Sequence, residues 1–140
     1  MSLPQRLSIT GMGGLAALSA THWMRKNVSD PAPVLAFALG VMPSLAAAFA
    51  MPLILASFVP RISRIPVTVS SRRTYSWILL FTTSGLCGWE LLQARSDRFV
   101  FDVHDILAAG LGSFLAHLAF GWQASRFQVR NQSAAHRGEA

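Results

Sequence analysis

Long apolar runs, broken by short polar stretches, set the plan of this chain. Residues 31–60 contain no charged side chain, and neither do residues 106–125. A helix crossing the ~30 Å hydrocarbon layer of a bilayer needs about 20 such residues. Two further apolar stretches, 7–24 and 74–92, are of similar length. The pattern predicts an all-α, polytopic membrane protein, a bundle of four transmembrane helices over 7–24, 34–59, 74–92 and 106–123. Residues 126–140, "RFQVRNQSAAHRGEA", form a polar tail too hydrophilic to build a core, expected to be loose.

Each segment carries local signals. The first is rich in Gly and Ala, and Ala17-Leu18-Ser19-Ala20 resembles a signal-peptide cleavage site. The segment is long for a signal core, so a retained span is expected. Pro43 and Pro52 lie inside the second and should bend it, each removing a backbone donor. A broken re-entrant pair is the alternative, although neither half alone would span. Trp77, Trp89 and Trp122 sit near segment ends, where indole rings suit the membrane–water interface. Small residues at four-residue spacing let helices approach closely: Ala108, Gly112 and Ala116 on the fourth segment, Gly13, Ala17 and Thr21 on the first. Gly85 and Gly88 suggest the same for the third. Internal packing is the expected use, and a face for a partner subunit the alternative.

Charge gives an orientation. With four spans, both termini and the middle loop share one side. That side holds eight basic residues: Arg6, Arg61, Arg64, Arg72, Arg73, Arg126, Arg130 and Arg137. The other holds four: Arg25, Lys26, Arg95 and Arg98. The positive-inside rule places the eight-residue side, with the N- and C-termini, in the cytoplasm. The +6 net charge is thus scattered between apolar segments and is no nucleic-acid footprint. The single cysteine, Cys87, excludes an internal disulfide. Of six acidic residues, five fall on the extracytoplasmic side: Asp30, Glu90, Asp97, Asp102 and Asp105.

Four of those five lie within "GWELLQARSDRFVFDVHDILAAGLG", residues 88–112. Glu90 and Gln93 are three apart and share a helix face. Glu90 sits in the last turn of a span and should turn inwards, with Arg95 and Arg98 as the nearest partners. Asp102 and Asp105, also three apart, open the fourth helix. They suit an N-cap and its reciprocal third position. The same five residues, Glu90, Gln93, Arg98, Asp102 and Asp105, can instead line an outer-facing polar pocket. His104 with the carboxylates matches no metal-ligand spacing, and no metal site is expected. His117, mid-way along the fourth span, can ligate a pigment or haem or touch a partner, but a hydrogen bond across the bundle is commoner. No cofactor is expected.

The stretch "E90-L-L-Q93" followed by "R98-F-V-F-D102-V-H-D105-I-L-A-A-G-L-G112" resembles the VanZ-like family of small bacterial membrane proteins. Glu90, Gln93, Arg98, Asp102, Asp105 and Gly112 match that family's pattern in type and order. Ala109 stands where the family has Asn, Ala116 where it has a later Gly, and the Arg-to-Asp spacing is one residue longer. The match is confined to the third and fourth spans. The resemblance implies a polytopic helical fold in the bacterial inner membrane, in a family whose named member is associated with glycopeptide resistance.

Three function classes follow. The first is a non-catalytic binding or modulator protein of the cell envelope, holding a polar headgroup, an envelope precursor or a drug in the acidic pocket, among membrane lipids. The second is a small accessory subunit of a larger membrane complex, or a homo-oligomer, with His117 touching pigment, lipid or a neighbouring subunit. The third, an enzyme acting on lipid-linked substrate, has two carboxylates for acid–base work but no nucleophile, no G-x-S-x-G, no HExxH and no phosphate-binding loop. The expectation is therefore a non-enzyme.

Overall fold

The computed structural model describes residues 1–63, 70–95 and 102–138. Among them every regular element is an α-helix: α1 (Leu3–Asn27), α2 (Pro33–Ser63), α3 (Ser70–Gln93) and α4 (Val103–Gly138). Residues 64–69 and 96–101, with the Asp97 and Arg98 of the polar stretch, lie outside the described residues, as does Glu139. Each apolar run has become one helix, longer at both ends than hydropathy marks it.

The extensions have local causes. α1 starts at Leu3 because Ser2 and Gln5 form a capping box. The Ser2 N–H donates to Gln5 Oε1 at 2.9 Å, and the Gln5 N–H to Ser2 Oγ at 3.5 Å. Two orphan donors are thereby satisfied, and Pro4 follows where a missing N–H costs nothing. α4 departs furthest from expectation. The tail after Gln123 is helical through Gly138 instead of loose. No Pro or Gly interrupts residues 125–137, and Arg, Gln and Ala propagate a helix well. Polarity removes that segment from a core but does not break its backbone.

α2 runs unbroken through Pro43 and Pro52, so the re-entrant alternative is not realised. Pro43 has no N–H for the Leu39 carbonyl four residues back. Arg25 of α1 supplies donors there: its Nε lies 2.7 Å from Leu39 O and its Nη2 2.8 Å from Gly40 O. Replacing Arg25 with Met should cost about 1 kcal/mol, below the usual range for a charged hydrogen bond because the site is partly wet. The same substitution in a Pro43→Ala background should cost less, since the helix then satisfies Leu39 itself. Detergent unfolding of the four proteins of this cycle measures the difference.

α2 is the central helix. It packs most extensively against α1 and α4 and less against α3, while among the described residues α1 and α3 do not meet. Residue pairings give the directions. Gly11 and Gly14 lie on Ile54 and Ala50, and Arg25 on Leu39, so α1 and α2 are antiparallel. Phe37 meets His104, and Gly112 meets Leu45, so α2 and α4 are parallel. Tyr75 stacks on Phe120 and Thr83 hydrogen-bonds Ser113 at 2.7 Å, so α3 and α4 are antiparallel. The result is an up-down-up-down bundle. One end, here the hinge end, is where α1 leads into α2 and α3 into α4. The other carries the termini.

Small residues set the closest approaches, though not always those the spacing suggested. Ala108, Gly112 and Ala116 are buried against α2 as expected. On α1 the packed face is Leu3, Leu7, Gly11, Gly14 and Thr21, so Gly13 is exposed with nothing near it. Gly85 and Gly88 likewise face open space. A helix rich in small residues on every side offers several candidate faces, and the larger side chains decide which one turns inwards. The main core cluster, Leu3, Leu7, Leu53, Ala56, Tyr75, Ala116, Phe120 and Ala124, sits towards the terminal end. A polar seam closes it where Gln123 Nε2 donates to Thr10 Oγ1 at 2.9 Å.

Among the described residues two helices are long and apolar enough to cross a membrane, α2 over Pro33–Val59 and α4 over Val103–Val129. Only 22 % and 33 % of their apolar windows are buried, unlike the core helix of a soluble domain. The outward surface of all four helices carries large apolar side chains, among them Ile9, Phe37, Phe81 and Phe114.

Candidate functional site

The described part of the polar stretch lies at the hinge end, where α3 finishes and α4 begins. The antiparallel pairing that sets Tyr75 on Phe120 and Thr83 on Ser113 brings the last turn of α3 beside the first turn of α4. Glu90 therefore turns inwards, as its place on the helix suggested, and is 8 % exposed. Its carboxylate is within hydrogen-bonding reach of the Gln93 side chain and within electrostatic reach of Asp105 and, more weakly, of Asp102. Four of the five expected site residues are thus gathered at one place. The fifth, Arg98, lies outside the described residues.

Two carboxylate oxygens there, Glu90 Oε2 and Asp105 Oδ1, are buried without any hydrogen-bond partner. The expected pairing of Glu90 with Arg95 is not made. Among the described residues the one ion pair is His104–Asp102. Arg95 sits exposed in the turn that ends α3, its backbone N–H on Leu92 O at 3.1 Å.

Asp102 and Asp105 divide the roles that their spacing offered jointly. Asp102 caps α4 through Oδ1, which accepts from the His104 backbone N–H at 2.9 Å and lies 2.7 Å from His104 Nδ1. The backbone bond first, then the ring contact, hold the Asp102 carboxyl below the usual range. The reciprocal arm of a capping box is absent. The Asp105 N–H bonds the Asp102 carbonyl at 3.1 Å, while its carboxylate is turned into the bundle with Oδ1 unpartnered. With His104 already occupying the cap, Asp105 is freed for the α3 side.

His104 ties the site to α2 by packing edge-on against Phe37, centroids 5.4 Å apart. Sequence reasoning missed this link, because Phe37 reads as one more apolar residue of a lipid-facing helix. His117 is not the cross-bundle hydrogen-bonding group expected of it. It is exposed, flanking the buried stripe of α4, with its ring 6.3 Å from the Tyr75 ring. Its neighbour Ala116 takes the inward position. Among the described residues no group of three or more His, Cys, Asp or Glu is set to hold a metal ion.

No family model matches the chain, and no curated protein or solved structure matches it either.

Proposed function

We propose that this chain is a four-span protein of the bacterial inner membrane, with both termini cytoplasmic, and that it binds a polar cell-envelope ligand at the hinge end without catalysing a reaction. The carrying observation is the pair of buried, unpartnered carboxylate oxygens on Glu90 and Asp105. Buried polar atoms are nearly always paired in native proteins, and an exception calls for an explanation such as an absent ligand. Two buried acids in a site with no apparent nucleophile suit holding a ligand better than transforming it.

Four crossings are supported by surfaces that hydropathy averages conceal. Gly, Ser and Thr dilute the apolarity of α1 and α3, yet Ile9, Met12, Leu80 and Phe81 all point outwards from them. The four tryptophans are all exposed, Trp23 and Trp89 near the hinge end, Trp77 and Trp122 near the terminal end. That is the placement of two interfacial belts. At the terminal end Arg126 lies 4.1 Å above the Trp122 ring, a pairing suited to the headgroup layer. The VanZ-like resemblance of residues 90–112 falls on the same hinge end and gives the envelope setting.

The test is drug response. In cells made glycopeptide-tolerant by this protein, Glu90→Ala and Arg98→Ala should each abolish the tolerance while membrane levels of the protein stay unchanged. Full tolerance in both variants would end the proposal.

A second reading, an accessory subunit, is favoured by the exposed ring of His117 in the middle of an apolar helix. Polar groups at membrane depth turn to protein partners. Purification in mild detergent as a free species of 15.2 kDa chains alone would count against it.

A further inference from the structure

The chemistry of the hinge-end carboxyl pair narrows the class of ligand it would hold. In its ionised form a carboxyl only accepts hydrogen bonds. Glu90 Oε2 and Asp105 Oδ1 are both buried, both unpartnered, and belong to acids within electrostatic reach of each other. A cationic donor would satisfy both oxygens and offset the repulsion between the two acids. None of the described cations pairs with these acids. Arg25 is bound to the Leu39 and Gly40 carbonyls, Lys26, the chain's single lysine, lies exposed on α1, and Arg95 lies exposed in the turn that ends α3.

Four kinds of cation differ in what they require. A hard divalent ion needs six or more oxygen ligands, or keeps several waters. Here one free oxygen on each of two carboxylates is offered, and among the described residues no third ligating carboxylate or imidazole is gathered for a metal. A guanidinium prefers both oxygens of one carboxylate in a planar fork. A primary ammonium is compact and carries three donors, which suits single oxygens presented from two helices. A quaternary ammonium has no N–H and would leave both oxygens unsatisfied. The pocket also lies level with exposed Trp89, Leu91 and Leu92, where a bilayer would bring its headgroups.

Resting on the binding role proposed above, we infer that the hinge-end pocket takes a primary ammonium group, held between Glu90 Oε2 and Asp105 Oδ1. An aminoethyl phospholipid headgroup and a soluble primary amine present the same chemistry.

The full chain in detergent, melted with short-chain phosphatidylethanolamine, tests this. Ligand that binds only the folded state raises Tm with concentration. Wild type should show a saturable rise. The N-acetylated lipid, the choline lipid and magnesium ion should give none. Glu90→Gln and Asp105→Asn should each weaken the protection at least tenfold while melting cooperatively without ligand. Ethanolamine alone giving the same rise would support the inference with a soluble source. Equal protection by the choline or acetylated lipid, or by magnesium, overturns it, as does no protection by any amine. A magnesium or choline effect that vanishes in Glu90→Gln would defeat the ammonium alone and leave the pocket standing. Unchanged drug tolerance in Glu90→Ala defeats the pocket itself. If Arg98→Gln creates amine protection that wild type lacks, the cation is Arg98 and the inference also fails.

Discussion

Gly112→Ala is expected to loosen α4 from α2 and to lower stability by about 2 kcal/mol. A methyl group at that position would fall against the Leu45 backbone carbonyl oxygen, with the Ala48 methyl 3.0 Å away. Neither obstacle is the end of a flexible side chain, so the helices themselves must separate. Overpacking of this kind costs about 1–3 kcal/mol, and contact with backbone puts this case at the upper end. The gain in helix propensity, about 1 kcal/mol for Gly to Ala, offsets part of it. Gly110 supplies the control. Nothing lies within 4 Å of its added methyl, so Gly110→Ala should be neutral or stabilising by up to about 1 kcal/mol. Opposite signs from the same substitution two residues apart, read by thermal unfolding in one detergent, would show that the close approach of α2 and α4 is real. Equal effects would show that it is not.

Glu90→Gln should stabilise the protein and impair its function together. The amide is nearly isosteric with the carboxylate, so the packing of the last turn of α3 is kept. What is removed is a buried acid near Asp105 with one oxygen unpartnered. Burying a polar group without a partner is costly, and its removal should recover about 1 kcal/mol, since the new amide must still find partners. The rise should appear as a higher Tm, together with lost drug tolerance in cells. A site that sacrifices stability for binding behaves this way, and one built only for helix capping does not. Asp102→Ala provides the contrast. It removes the bond to the His104 N–H and should cost about 1 kcal/mol, as other lost N-caps do. If Glu90→Gln instead lowers stability as Asp102→Ala does, the carboxylate is structural and the pocket is not a binding site.

These contrasts mark what was legible in the sequence. Hydropathy alone located four helices, because each apolar run is bounded by turn-forming or charged residues. Glu90 and Gln93 were rightly paired on one face, since a three-residue interval settles that without tertiary knowledge. The cap at Asp102 was legible for the same reason. The fate of Asp105 was not, because it depends on His104 occupying the cap and on α3 lying alongside. His117 was misjudged because α4 is apolar almost all round, so its position along the helix was clear but its face was not. Gly13, Gly85 and Gly88 look as suitable for packing as Gly112, and only the neighbouring large side chains separate them. In the sequence Arg25 counts only as a topological charge, and its bond across to the carbonyl freed by Pro43 depends on the α1–α2 pairing. The helical stretch beyond Gln123 is not legible because polarity excludes a core without excluding a helical backbone.

Everything said of the pocket depends on where the membrane lies, and single-cysteine labelling decides that most directly. In a Cys87→Ser background, cysteines would be placed at Asp30 and Ala94 near the hinge end and at Ser2, Arg72 and Gln132 near the terminal end. An impermeant maleimide should label the first two in intact cells, and the other three only after permeabilisation. Labelling of both groups in intact cells, or of the terminal group alone, would contradict four crossings with an outward acidic pocket.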